Sequence, residues 1–193
     1  PTEEPEPFGD NGTKMAWNTF NVVSLYPNGS PALSDVNQRW VGDCCACAVF
    51  ASMAYLYPRF IKHIIKDNKD KTYTVTMYDP TGKQIPVGVS GDYFIGNSGD
   101  LGALGGRNKE VTWATILEKA MMKWRQVYLG SSNVGGIGTE YVSAIFTGDG
   151  ESVGFGAGAL IAEDLQRAVE VSLKQGRLVI GGFTRSGEQV DEN

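Results

Sequence analysis

From Cys44 to Tyr57 the chain carries no charged residue, and a fourteen-residue run of this kind admits few places in a fold. Ala46, Ala48, Ala51, Ser52 and Ala54 are small, and they alternate with Val49, Phe50, Met53 and Tyr55. The composition favours helix, and Pro58 ends or kinks it. A helix that is apolar all round belongs inside a domain, so this segment is expected to be the central helix of the fold. What stands at its start bears on function. Gly42-Asp43 makes a tight turn immediately before Cys44. The unpaired N–H groups of a helix start carry partial positive charge, which favours a thiolate at that point. The side chain of Gln38, folded back beside the helix end, would join the Cys44 backbone N–H in holding the oxyanion of a tetrahedral intermediate. Those residues make half of a cysteine-hydrolase site, with Cys44 as the nucleophile.

Composition bounds the rest. At 193 residues with 41% apolar side chains, the chain suits one globular domain, or a domain and part of a second. A net charge of −5 and a pI near 4.9, without any basic run, argue against a nucleic-acid partner. No apolar stretch approaches the roughly 18 residues that span a bilayer. The three cysteines, Cys44, Cys45 and Cys47, sit within one helical turn and cannot build a disulfide framework. Residues 1–13 are acidic and proline-rich and read as a tether at a processing or cloning boundary. Such tethers commonly follow a removed export signal or lipid anchor, which favours an extracytoplasmic, secreted or tethered protein.

Residues 14–43 are rich in turn formers and read as a wrapped loop bringing Asp35 and Gln38 to the helix start. Thr72–Tyr78 alternates, and Asp79-Pro80-Thr81-Gly82 suits a turn, so a hairpin to about Val89 is expected. Gly91–Gly106 and Gly130–Gly138 read as loops. Trp113, Ile116, Leu117, Ala120, Met121 and Trp124 recur at helical spacing. Ala162–Lys174 is a second such helix, stopped by Gly176, and Leu178-Val179-Ile180 is a buried-strand candidate. Trp113 and Trp124 are assigned to the core.

The run Asp35-Val36-Asn37-Gln38-Arg39-Trp40-Val41-Gly42-Asp43-Cys44 resembles the calpain family's D-x-x-Q-G-x-x-G-D-C-W, with cysteine as nucleophile and glutamine in the oxyanion hole. Further along, 113–120 is similar to the family's W-x-x-L-L-E-K-A, Gly135-Gly136 to its S-G-G, and Phe146-Thr147-Gly148 to its F-T-G, all in the family's order. Arg39 stands where the family has glycine, and Cys45 where it has tryptophan. The resemblance implies an α+β papain-like half-core: the Cys44 helix at the centre, packed by helices at 113–124 and 162–174, with a hairpin and long loops to one side. It implies a catalytic subdomain over 14–183 and a polar tail over 184–193 leading to a second half. Gly135 and Gly136 would let the backbone of a polypeptide substrate approach and pair in strand fashion. Calcium is the family's regulator, and Asp35, Glu110, Asn28 and Ser30 fall at or near its first-half ligand positions, oxygen donors of the kind calcium takes.

A thiolate also needs a proton shuttle, normally a histidine oriented by asparagine. The chain holds one histidine, His63, nineteen residues past Cys44 and beyond Pro58. The G-H-A-Y and N-P-W-G segments that carry the family's histidine and asparagine do not occur. The expected function is therefore peptide-bond hydrolysis through an acyl-thioester, by an enzyme that is inert without a second segment or chain bearing that histidine and asparagine. Two other readings stand: a calpain-like module that binds or regulates without catalysis, and a thiol–disulfide oxidoreductase using the Cys44–Cys47 C-x-x-C. The second would need a buried strand before the motif, whereas Asn37–Asp43 is polar and turn-like.

Overall fold

The computed structural model describes residues 3–7, 15–96, 98–156 and 158–182. The expected tail at 184–193, and part of the expected tether, lie outside them. The fold is mixed α+β. Strand β1 (Ala16–Thr19) pairs antiparallel with β5 (Asp92–Ile95), and β2 (Ile65–Asp67), β3 (Tyr73–Tyr78) and β4 (Gln84–Val89) form a second antiparallel sheet in the order β2-β3-β4. Among the described residues five helices accompany them: α1 (Cys44–Leu56), α2 (Pro58–Ile64), α3 (Trp113–Leu129), α4 (Thr139–Thr147) and α5 (Ala162–Lys174). Among the described residues, no single helix is long and apolar enough to cross a bilayer.

The expected hairpin is present. Tyr73, Val75 and Met77 point inward along β3, in register with Val89, Val87 and Ile85 of β4. Its tip closes as the Asp79 carboxylate accepts hydrogen bonds from the N–H groups of Thr81 and Lys83. The sheet gains β2 as a third strand, with Ile65, Lys66 and Asp67 opposite Val75, Thr74 and Tyr73.

The central position goes to a different helix from the one the sequence favoured. Every residue of α3 from Trp113 to Trp124 is buried, including Glu118, Lys119 and Lys123. Helix α1 instead buries one face, through Ala46, Val49, Phe50, Met53 and Ala54, and leaves Tyr55 74% exposed. Its other side, with Ala51, Ser52, Tyr55 and Leu56, opens onto a groove of about 380 Å³. Phe50 joins the two helices and α4, meeting Trp113 and Phe146 edge to face with ring centroids 6.3 and 5.6 Å away.

Helix α4 fills the place assigned to the C-terminal helix. Val142, Ile145 and Phe146 are its buried face, and Gly148 ends it with φ 75°, where an added Cβ would lie 2.8 Å from the Tyr78 ring. Helix α5 has the expected bounds, and Gly176 follows it at φ 74°. It buries no residue, however, and reaches the body through Leu173 at the α1 groove and a hydrogen bond from the Tyr57 hydroxyl to the Gly176 carbonyl. Leu178–Ile180 forms no strand. The three residues are half-buried, and Leu178 and Ile180 rest against the core edge.

Deleting the Phe50 ring removes the packing of α1 against both α3 and α4. The Phe50→Ala protein should lose about 3–5 kcal/mol of unfolding free energy, read from urea denaturation followed by far-UV circular dichroism.

Candidate functional site

The turn that leads into α1 is built from the buried carboxylate of Asp35. Its Oδ2 accepts hydrogen bonds from the Trp113 indole N–H at 2.7 Å and from the Ala32 N–H at 2.9 Å, and its backbone carbonyl accepts one from the Thr112 hydroxyl. A 3-10 turn at Leu33–Asp35 is thereby fixed to the start of α3. Asn37 exchanges backbone hydrogen bonds with Gly105, and Trp40 donates its N–H to the Gly102 carbonyl. The chain from 35 to 43 thus lies along the 101–106 loop as an ordered turn, without the buried strand that a thioredoxin-like motif requires.

Cys44 emerges from this turn exposed, as the first residue of α1. Gln38 is also exposed and spans the turn, donating one Nε2 hydrogen to the Val41 carbonyl at 2.9 Å. An amide nitrogen carries two hydrogens, so the second remains for another acceptor. The 130–138 loop closes the other side. Gly136 N–H donates to the Gly42 carbonyl at 3.2 Å, and Gly135 N–H to the Asn133 side chain at 2.8 Å. Gly136 takes φ 67°, which favours glycine, and has open space where a Cβ would stand. The structure therefore brings Gln38, Cys44, Gly135 and Gly136 to one turn-and-loop junction. His63 is exposed on α2, past the far end of α1, about 20 Å of helix away from the thiol end.

The other two thiols are different. Burial, then the neighbouring Cys44, pushes the Cys45 thiol up from its ordinary range. Burial raises Cys47 further, and Asp43 adds to it, as the Cys47 thiol donates to the Asp43 carboxylate at 3.7 Å. Cys47 is held as a thiol, and this weakens it as the partner of Cys44 in disulfide exchange.

Two features here were not singled out from the sequence. The first is a pair of buried acids beneath Cys44. Asp43, the residue before α1, is fully buried, and so is Glu118 of α3, whose Oε2 accepts the Leu104 N–H at 2.9 Å. Burial, and then the charge of Asp43, lifts Glu118 well above the usual carboxylate range, which favours its protonated form hydrogen-bonded to Asp43. A glutamate on the apolar face of the 113–124 helix was the available signal. The second is a pocket of about 300 Å³ beside Gln38, lined by Arg39, Trp40, Asp100, Leu101 and Lys109. Arg39 is tied there, its guanidinium donating to the Gly106 carbonyl at 2.6 Å, while Lys109 pairs with Asp100 at 3.0 Å and Trp40 stays 47% exposed.

Three of the four candidate calcium ligands lie along the 28–35 turn, and Glu110 stands three residues before α3. Asp35 spends its Oδ2 on two N–H donors, Asn28 donates to the Ser34 hydroxyl at 3.2 Å, and Ser30 is a half-buried loop residue. Glu110 is buried against Gly106, and its Oε2 has no hydrogen-bond partner. Among the described residues, no three His, Cys, Asp or Glu side chains are grouped to hold a metal. No protein family and no curated protein matches the chain.

Glu118 titrates higher when folded than when unfolded, so the folded chain binds the extra proton above the ordinary glutamate range. Stability then falls as pH rises through that window. Glu118→Gln supplies a neutral hydrogen-bond donor permanently. It should flatten the decline as pH rises above the ordinary glutamate range and match the parent below it, measured by thermal melts across pH.

Proposed function

We propose that this chain is the thiol-bearing half of a papain-like, calpain-type cysteine endopeptidase. The single observation that carries the reading is the junction at α1: an exposed cysteine at the first helical position, with Gln38 on the turn before it and the Gly135–Gly136 loop hydrogen-bonded to Gly42. The order of residues over 35–44, 113–120 and 146–148 supports it from a separate direction.

In this reading the Cys44 thiolate attacks the peptide carbonyl carbon, a C–S bond forms, and the carbonyl π electrons move onto oxygen. The Cys44 backbone N–H and the second Gln38 amide hydrogen donate to that oxyanion. Collapse breaks the C–N bond, and the amine leaves with a proton from an imidazolium. Water then cleaves the acyl-thioester and regenerates the thiol. The imidazole and the asparagine that orients it belong to a second segment or chain, since His63 is on α2, past the end of α1 opposite Cys44. Gly135 and Gly136 give the substrate backbone room to lie along the loop. Asp43 and Glu118 fix the turn from behind, as positioning residues rather than participants. Arg39, Trp40 and Lys109 would form a subsite wall beside Gln38. For calcium, Glu110 would offer its unpartnered Oε2 and Asp35 its Oδ1, since Asp35 Oδ2 is held by Trp113 and Ala32.

Two measurements test the reading. Iodoacetamide should label one thiol rapidly in the 193-residue chain, and Cys44→Ala should remove that reaction. In a protein that also carries the histidine and asparagine half, casein cleavage with calcium or with a chelator should drop by at least about 10³-fold in Cys44→Ala. Equal cleavage by the two forms would end the proposal. A reversible Cys44–Cys47 disulfide would favour redox chemistry instead.

A further inference from the structure

The segment Glu3–Pro7, which composition marks as a tether, is seated in a specific groove on the opposite side of α3. Lys119 lies on the floor with its side chain 2% exposed, and its ammonium pairs with Glu4 Oε2 at 2.7 Å. The same ammonium donates to the Ser90 hydroxyl at 2.8 Å and to the Asp92 carbonyl. It stands 4.5 Å from the Trp17 ring centroid and 5.5 Å from that of Tyr93, so the cation is held against aromatic faces. The charge of Glu4 also bears on Lys123, one turn further along α3 and equally buried. Pro5 is buried, and its carbonyl accepts the Trp17 indole N–H at 2.6 Å. The Glu6 carbonyl accepts the Ser132 hydroxyl at 2.5 Å.

These contacts read a defined ligand. A buried cation takes a carboxylate, the proline between the two glutamates is buried, and two side-chain donors take main-chain carbonyls, as grooves for extended proline-containing peptides do. We propose that this groove is a binding site for acidic Glu-Pro-Glu peptides, occupied here by the chain's own residues 3–7, and that its occupancy orders the 130–138 loop. The link to the loop is Ser132. It belongs to the same short segment as Asn133, Gly135 and Gly136, and through the Gly136–Gly42 hydrogen bond that segment abuts the turn before Cys44. Residues 3–7 act as a strap from the α3 groove to the wall of the α1 junction. The inference does not require Cys44 to be a nucleophile, and its readout is not catalytic.

Hydrogen exchange on the whole chain tests it, using Glu4→Lys, which sets like charge on Lys119, and Pro5→Ala, which keeps the charge. In Glu4→Lys the amides of Gly135 and Gly136 should exchange about tenfold faster or more, while those of β3 and β4 keep their protection. Pro5→Ala should give a smaller change of the same kind. A synthetic peptide spanning Thr2–Phe8, added at millimolar concentration to Glu4→Lys, should restore protection saturably and less well in high salt. The same peptide with glutamine at all three glutamates should not. Unchanged loop exchange in Glu4→Lys would overturn the proposal, as would failure of the peptide to restore it. Loss of protection throughout α3 in both variants would overturn it too, because the segment would then be ordinary core.

Discussion

Burying α3 on every side obliges the rest of the chain to satisfy the polar groups that the helix carries inward. Those groups are Glu118, Lys119, Lys123, and the threonines at its start. Glu118 is answered by the Leu104 N–H and by Asp43, and Lys119 by Ser90, the Asp92 carbonyl and Glu4. The Thr115 hydroxyl donates to the Leu104 carbonyl, and the Thr112 hydroxyl to that of Asp35. Every one of these partners lies outside α3, in loops, strand edges and the N-terminal segment. The long glycine-rich connections are thereby pinned to one helix, which explains how so much irregular chain stays ordered around two small sheets.

The candidate site follows from that arrangement. The turn before Cys44 is gripped at both ends by α3, through Asp35 on the Trp113 indole and through Asp43 on Glu118. With the turn fixed, α1 must start where it does, and its first residue faces outward. The polar work is done in the interior, while the thiol and the glutamine amide are left at the surface. Lys119 repeats the pattern on the opposite side, where the partner is a strap.

Much of the local structure was legible from residues. The bounds of α1 and α5, the β3–β4 hairpin and the burial of Trp113 and Trp124 follow from apolar spacing and from Pro58, Gly82 and Gly176, signals that act within a few residues. The grouping of Gln38, Cys44 and the Gly135–Gly136 loop was legible as an order of motifs. Other elements were not. Strands β1 and β5 are four residues each, too short to show alternation, and exist because they pair with each other. Helix α4 was hidden in a stretch taken for motif and loop, although Val142, Ile145 and Phe146 carry helical spacing between Gly138 and Gly148. Leu178–Ile180 is apolar enough for a strand, but no strand pairs with it among the described residues.

Taken alone, the sequence determined which segments coil, which residues prefer the interior, and that a cysteine would begin a helix after a Gly-Asp turn. Those outcomes depend on side chains a few positions apart, so they are written locally. Which of two apolar helices became the centre was decided only in the tertiary structure, because α3 can bury its charged residues once distant partners reach them. The same holds for residues 3–7: composition marks a solvated tether, yet a buried lysine against two aromatic rings gives Glu4 a better place than water.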